Sequence, residues 1–166
     1  LGLAVATPAG VKAALFYIFV YAVMNLGAFG AVIAVFHSIR SEKIEDYAGL
    51  YQKDPLTAVV LAVSLLALAG IPPLAGFFAK FFILAAAVKA HHILLAVLAV
   101  VNSVIALYYY LKVVKFMFLD QPEETAVASA VQTPSLRFVL FFLMAANFVI
   151  GIWPQPALVW IARLLP

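Results

Sequence analysis

Of the ten lysines and arginines in this chain, one stands where an ammonium group has no water to reach: Lys80, inside the run AGFFAKFFILAAAV. An amine held among apolar residues can take up a proton and hand it on, which is the chemistry of a proton relay. Lys80 lies seven residues after Pro73 and about ten before the polar cluster at Lys89 to His92, so its stem is too short to carry the charge to an interface. Holding an ammonium at such a depth costs about 2.5 to 3.5 kcal/mol on insertion scales, and a residue that costs this much needs a reason to be there. Two reasons are open. Lys80 is a protonatable group on a proton route, or it caps backbone carbonyls freed where the helix beside it is broken. No acid lies within any apolar tract, so a carboxylate partner is expected from outside these residues.

The other polar side chains inside apolar tracts are Tyr17, Tyr21, Asn25, Ser64, Asn102, Ser103 and Asn147. Tyr17, Tyr21 and Asn25 recur every fourth residue and so share one helix face. Small residues at helical spacing, such as Gly27 with Ala31 and Ala99 with Ser103 and Ala106, let neighbouring helices approach closely. These polar groups either hold helices together or line a hydrated path. His91 and His92 either relay protons or sit at an interface. Tyr108, Tyr109, Tyr110, Lys112 and Lys115 form an aromatic belt with cationic anchors, although Lys112, one turn from Tyr108, is also placed to touch a polar axis.

These residues must be positioned by membrane helices. The chain has 166 residues, 67% of them hydrophobic and only 10% charged, with no cysteine. A soluble domain carries about 25% charged residues, so this one lacks the surface to face water and is expected in a bilayer as an integral membrane protein. All seven acids fall in two windows, 42 to 54 and 120 to 124, and the cations other than Lys80 flank apolar runs. The net charge of +3 forms no basic stripe, which excludes nucleic acid. Without cysteine there is no disulfide, thiolate nucleophile or iron–sulfur ligand, three histidines make no metal site, and no phosphate-cradling glycine loop is present. No cofactor or metal is expected in the chain, and no self-contained catalytic site. It begins at Leu1 without a basic n-region, has no signal peptide, and reads as a fragment of a longer protein.

A spanning helix needs about 20 apolar residues. The tract from Pro55 to Ala90 would make a helix of about 54 Å, too long for one crossing, and Gly70-Ile71-Pro72-Pro73 breaks it. The expected architecture is an all-α polytopic membrane bundle, one domain over 1–166, with spans at about 12–36, 56–70, 74–90, 92–118 and 137–161. Polar loops are expected at 37–54 and 120–135, with Asp54-Pro55 opening the helix that follows. Counting cations on alternate sides leaves the orientation undecided.

Three motifs, Asp46-Tyr47-Ala48-Gly49-Leu50-Tyr51-Gln52-Lys53-Asp54-Pro55, then Leu68-Ala69-Gly70-Ile71-Pro72-Pro73-Leu74-Ala75-Gly76-Phe77-Phe78-Ala79-Lys80-Phe81, then Tyr108-Tyr109-Tyr110-Leu111-Lys112-Val113, occur in this order. In sequence and spacing they resemble the C-terminal part of the antiporter-like membrane subunits of respiratory complex I, NADH-quinone oxidoreductase, known as subunit N, subunit 14 or mitochondrial subunit 2. The resemblance implies the second of two inverted repeats in a 14-helix subunit. It implies that Lys80 matches the family's protonatable lysine on a discontinuous helix; beside it, the residues themselves offer Gly70, Pro72 and Pro73 as a hinge and Ser64, Asn25, Asn102, Ser103, Tyr108, Lys112, His91 and His92 as polar-axis candidates. It also implies a non-redox subunit of a proton-pumping translocase, with NADH, FMN, iron–sulfur clusters and quinone held by partner subunits, and partners among the other membrane subunits and the lipid. The membrane would be the bacterial inner membrane, or a mitochondrial inner or thylakoid membrane. The equivalent subunit of a photosynthetic complex feeding plastoquinone, a cation/proton antiporter or membrane hydrogenase subunit, and a structural membrane spacer stay open.

Overall fold

The computed structural model describes residues 2, 5, 7–41, 43–121 and 133–163. Helix α1, Pro8–Ile39, opens on Thr7, whose Oγ1 accepts a hydrogen bond from the Gly10 N–H at 3.1 Å, and on Pro8, whose missing N–H costs nothing in a first turn. Its 32 residues, about 48 Å long, pass the expected 12–36 at both ends. It closes where Arg40 turns left-handed (φ 53°). Phe16, Val20, Met24, Gly27, Ala31 and Ala34 line its buried face, and most of the later helices pack on it.

Residues 37–54 were expected as a polar loop, and here the structure differs. Residues 37–39 belong to α1, Ile44–Tyr47 form a 3-10 turn, and Leu50–Lys53 form the short helix α2. Tyr47 and Leu50 are buried in the main core, the Gly49 N–H bonds the Phe116 carbonyl at 3.2 Å, and Tyr51 stacks on Phe118 at 4.8 Å. The apolar residues among the charges pin this link to the bundle. Ser41 Oγ donates to the Asp46 carboxylate within it.

Asp54 caps helix α3, Pro55–Ala69, accepting from the Thr57 N–H at 3.3 Å and the Thr57 hydroxyl at 2.7 Å, with Pro55 in the first turn. After the Gly70–Leu74 break comes helix α4, Ala75–Lys89. Each half has 15 residues, about 22 Å, so neither crosses alone. His91 turns left-handed (φ 61°), and helix α5, Ile93–Phe118, returns beside α4. Only Ala96 and Met117 of α5 are buried, and the rest of the helix presents an apolar surface. Of the expected loop 120–135, residues 122–132 lie outside the described residues; Asp120 pairs with Lys115 at 3.4 Å.

The expected span 137–161 is two helices, α6, Pro134–Ile152, and α7, Gln155–Arg163. Pro154 has no N–H to continue α6, and Trp153 before it is forced out of the helical region (φ −132°, ψ 76°). Pro154-Gln155-Pro156 marks the break in the sequence, inside a tract that is otherwise apolar.

The architecture is the expected all-α membrane bundle with a Gly/Pro-broken helix, and every element among the described residues is helical. Helices α1, α5 and α6 are long and apolar enough to cross a membrane. Gly30 meets Leu140 while Gly27 meets Leu143, so α1 and α6 run antiparallel. One apolar cluster joins α1 and α3 to Tyr47, Leu50, Met117 and Leu140. A second surrounds the break, with Phe16, Val20 and Met24 of α1 against Ala67, Leu74, Ala75, Ala79 and Ile161.

Candidate functional site at the helix break

The break follows from which backbone donors exist. In a continuous helix the carbonyls of Leu68 and Ala69 would accept from the N–H groups of residues 72 and 73, and both are prolines. Gly70, at φ 90°, ends α3 with a left-handed residue: its N–H reaches the Ala67 carbonyl at 2.9 Å, and the Ile71 N–H reaches Leu66 at 3.1 Å. Ala69 remains without a backbone donor, and Lys80 supplies one. Its Nζ donates to the Ala69 carbonyl at 2.9 Å, with the stem lying across Gly70, where an added Cβ would fall 2.9 Å from Lys80 Cδ. The capping contact weighed from the sequence is therefore present.

It does not use the whole ammonium group, which has three donors. Lys80 also lines a cavity of about 520 Å³ between α1, α4 and α5. The polar groups on that cavity are Tyr17, Lys80, Asn102 and Ser103, set in an otherwise apolar wall that includes Leu15, Ile18 and Ile83. Ser103 Oγ donates back to the Ala99 carbonyl at 2.9 Å, which leaves its oxygen lone pairs facing outward from its own helix. An amine beside a cavity with phenol, amide and hydroxyl groups can exchange a proton with water entering there.

Of the candidate residues, the structure brings Lys80, Asn102 and Ser103 onto one cavity and sets Gly70 against the Lys80 stem, while Pro72 and Pro73 lie in the break and are not on the cavity. Tyr17 joins them. Asn25 donates to the Tyr21 carbonyl at 2.8 Å, one turn beyond, and is not on the cavity. His91 and His92 sit exposed in the α4–α5 turn. Tyr108 and Tyr109 face outward, and Lys112 lies over the Phe116 ring at 5.9 Å, near the far end of α5. Among the described residues no group of three or more His, Cys, Asp or Glu is placed to hold a metal.

Ser64 is fully buried where α1 meets α3. A Cβ on Gly27 would fall 2.5 Å from its Oγ, and that oxygen has no hydrogen-bond partner among the described residues; nor does Asn147 Oδ1 on α6. An orphaned buried hydroxyl costs about 1 to 3 kcal/mol. Ser64→Ala in the full-length subunit should therefore raise thermal stability by up to about 1 kcal/mol, the small void left behind absorbing the remainder. A loss of stability on thermal unfolding in detergent would show that the hydroxyl has a partner.

Two glycines close the site from behind. A Cβ on Gly76 would fall 1.8 Å from the Ala67 carbonyl oxygen, and one on Gly151 would fall 2.1 Å from that of Pro73. The first turn of α4 thus lies directly on the last turn of α3, and α6 lies directly on the break. This closeness was not legible as a motif, because the glycines belong to separate helices.

Residues 1–106 match the family model described as NADH:quinone oxidoreductase/Mrp antiporter, TM. The chain belongs to this family. The motif resemblance is thereby borne out, and the matched region carries α1, the broken α3–α4 pair and every residue named on the cavity. Members of the family similar to this chain include NADH-quinone oxidoreductase subunit N of Desulfitobacterium hafniense, 44% identical over 89% of this chain and 29% of its own length. Another is NAD(P)H-quinone oxidoreductase subunit 2 of Rippkaea orientalis, 45% identical over 84% of this chain and 27% of its own. A chain of respiratory complex I from Thermus thermophilus superposes with a TM-score of 0.74 at 32% identity, over 87% of this chain and 34% of that one. The chain thus spans less than a third of the length of these curated relatives. As a family member with three helices among the described residues long and apolar enough to cross a bilayer, it is an integral membrane protein.

Proposed function

We propose that this chain is the proton-carrying part of a membrane subunit of an NADH:quinone oxidoreductase, in which redox energy released in partner subunits drives a proton past Lys80. The observation that carries the reading is the position of Lys80. Its amine reaches across the broken helix to the Ala69 carbonyl, and the residue also lines the cavity that holds Tyr17, Asn102 and Ser103. A residue that only capped the break would not need to open onto a cavity. Irregular backbone at membrane depth is tolerated where it is packed in protein or lines such a space.

In this reading the subunit performs no redox chemistry, and NADH, flavin, iron–sulfur clusters and quinone belong to its partners. A second form of the same reading is the equivalent subunit of a photosynthetic complex that feeds plastoquinone. The same site serves either. The test is Lys80→Ala in the full-length subunit within the assembled, reconstituted complex. Proton uptake coupled to NADH oxidation and quinone reductase activity should both fall well below wild type; wild-type values for both would remove Lys80 from the mechanism.

A further inference from the structure

Helix α5 sorts its residues by size. Ala96, Ala99, Ser103 and Ala106 recur every three or four residues on the side turned to the bundle, where Ala96 is buried and Ala99 and Ser103 line the cavity. The opposite stripe, Leu94, Val97, Leu98, Val101, Ile105 and Tyr108, has the same spacing and holds nothing smaller than valine. All six are exposed, from 49% at Val101 to 72% at Leu94, whereas Tyr110 turns inward beside the main apolar cluster. Contacts between helices in a bilayer favour small residues, which let backbones approach. This bundle uses them where its own helices meet, at Gly27 against Ser64 and at Gly151 against Pro73. A stripe of branched aliphatic side chains is suited instead to acyl chains.

The stripe changes chemistry at one end. Beyond Tyr108, at the same spacing, come Lys112 and Lys115, both exposed, with Nζ atoms 5.9 and 5.8 Å from the centre of the Phe116 ring. Two ammonium groups thus gather at one ring. Lys112 has no carboxylate partner among the described residues, and Lys115 pairs with Asp120 at 3.4 Å, an exposed contact that an incoming phosphate can share. This end of α5 lies with the charged 40–54 link: the Gly49 N–H bonds the Phe116 carbonyl and Tyr51 stacks on Phe118. From Tyr108 back to Leu98 is ten residues, about 15 Å, which is one leaflet's share of a hydrocarbon core about 30 Å thick. Cations at the water side, a phenol at the boundary and aliphatic surface for the depth of one leaflet match the parts of a phospholipid in order.

We propose that the outer face of α5 is a binding site for an anionic phospholipid, with its phosphate at Lys112 and Lys115 and its acyl chains along Ile105, Val101 and Leu98. Charge sets the preference. A zwitterionic headgroup brings its own ammonium toward the two lysines, while an anionic one brings none. A neighbouring protein helix is the competing occupant, and the large side chains of the stripe hold its backbone at a distance.

The test uses the full-length subunit in its assembled complex, in phosphatidylcholine nanodiscs doped with a phosphatidylglycerol that carries a photoactivatable diazirine on its acyl chain. After illumination, peptide mapping should find label on the Leu94–Tyr108 stripe, several-fold more than from phosphatidylcholine with the same diazirine. Lys112→Gln combined with Lys115→Gln should remove that preference at an unchanged unfolding midpoint. Lys112→Arg with Lys115→Arg should keep it, as should Lys89→Gln, at an exposed lysine that ends α4. Equal labelling by the two lipids would overturn the site and leave an unselective lipid face. A stripe labelled by neither lipid would overturn it in favour of a protein neighbour, and a preference that persists in the glutamine variant would overturn the assignment to these lysines. If the glutamine variant fails to assemble, the wild type and the arginine variant decide by the same comparison of lipids.

Discussion

Gly76→Ala is expected to prevent the broken helix from assembling, at a cost above about 4 kcal/mol, the range reached only when a substitution breaks a packed core. The added methyl would lie 1.8 Å from the oxygen and 2.8 Å from the carbon of the Ala67 carbonyl, with Met24 Sδ at 3.0 Å. Two of these neighbours are backbone, so no rotamer change relieves the clash. Relief requires α3 and α4 to separate by more than an ångström, which pulls Lys80 away from Ala69. The better helix propensity of alanine, about 1 kcal/mol, offsets only a fraction of this. Gly151→Ala should behave alike, because its methyl would meet the Pro73 carbonyl oxygen at 2.1 Å. Gly30→Ala is the contrast: its nearest neighbour is the end of a leucine side chain, Leu140 Cδ2 at 3.1 Å, which can shift. Expression level and unfolding midpoint of the full-length subunit should rank Gly30→Ala close to wild type and the other two far below. Equal behaviour of all three would show that the helices are not packed this closely at the break.

Lys80→Met should separate the two roles of the lysine. Methionine is unbranched and of similar reach, so it covers Gly70 as the lysine stem does while removing the ammonium. The lost hydrogen bond from a charged donor is worth about 1.5 to 3 kcal/mol. The charge no longer held at membrane depth returns about 2.5 to 3.5 kcal/mol. The two nearly cancel, and the variant should unfold within about 1 kcal/mol of wild type. Proton translocation, in contrast, should be lost, because a thioether carries no proton. Retained translocation would reduce Lys80 to a cap on Ala69 and favour a structural spacer. Loss of stability together with activity would show that the cap matters more than its small net energy suggests.

What could be read from the residues alone was whatever depends on local backbone chemistry. Pro72 and Pro73 lack donors in any fold, so the break was legible, as was the Asp54-Pro55 start of α3. The break at Trp153-Pro154-Gln155-Pro156 was passed over because apolar residues lie on both sides of it and the whole tract has the length of one span. The 37–54 link looked solvated because its charges outnumber Tyr47 and Leu50, and only the tertiary core shows those two taken inside. Tyr108 to Tyr110 look alike as letters. Which of the three faces inward is decided by how α5 rolls against α3 and α4, a quantity no short motif contains.

The seat of Gly151 on the Pro73–Leu74 peptide has a mechanical consequence. With no side chain between them, α6 has no clearance over which to slide, and the contact works as a hinge pin rather than a cushion. A thrust along α6 from a neighbouring subunit would pass undamped into the first turn of α4, five residues from Ala75 to the amine. A larger residue there, even if the bundle accommodated it, would turn a stiff linkage into a compliant one.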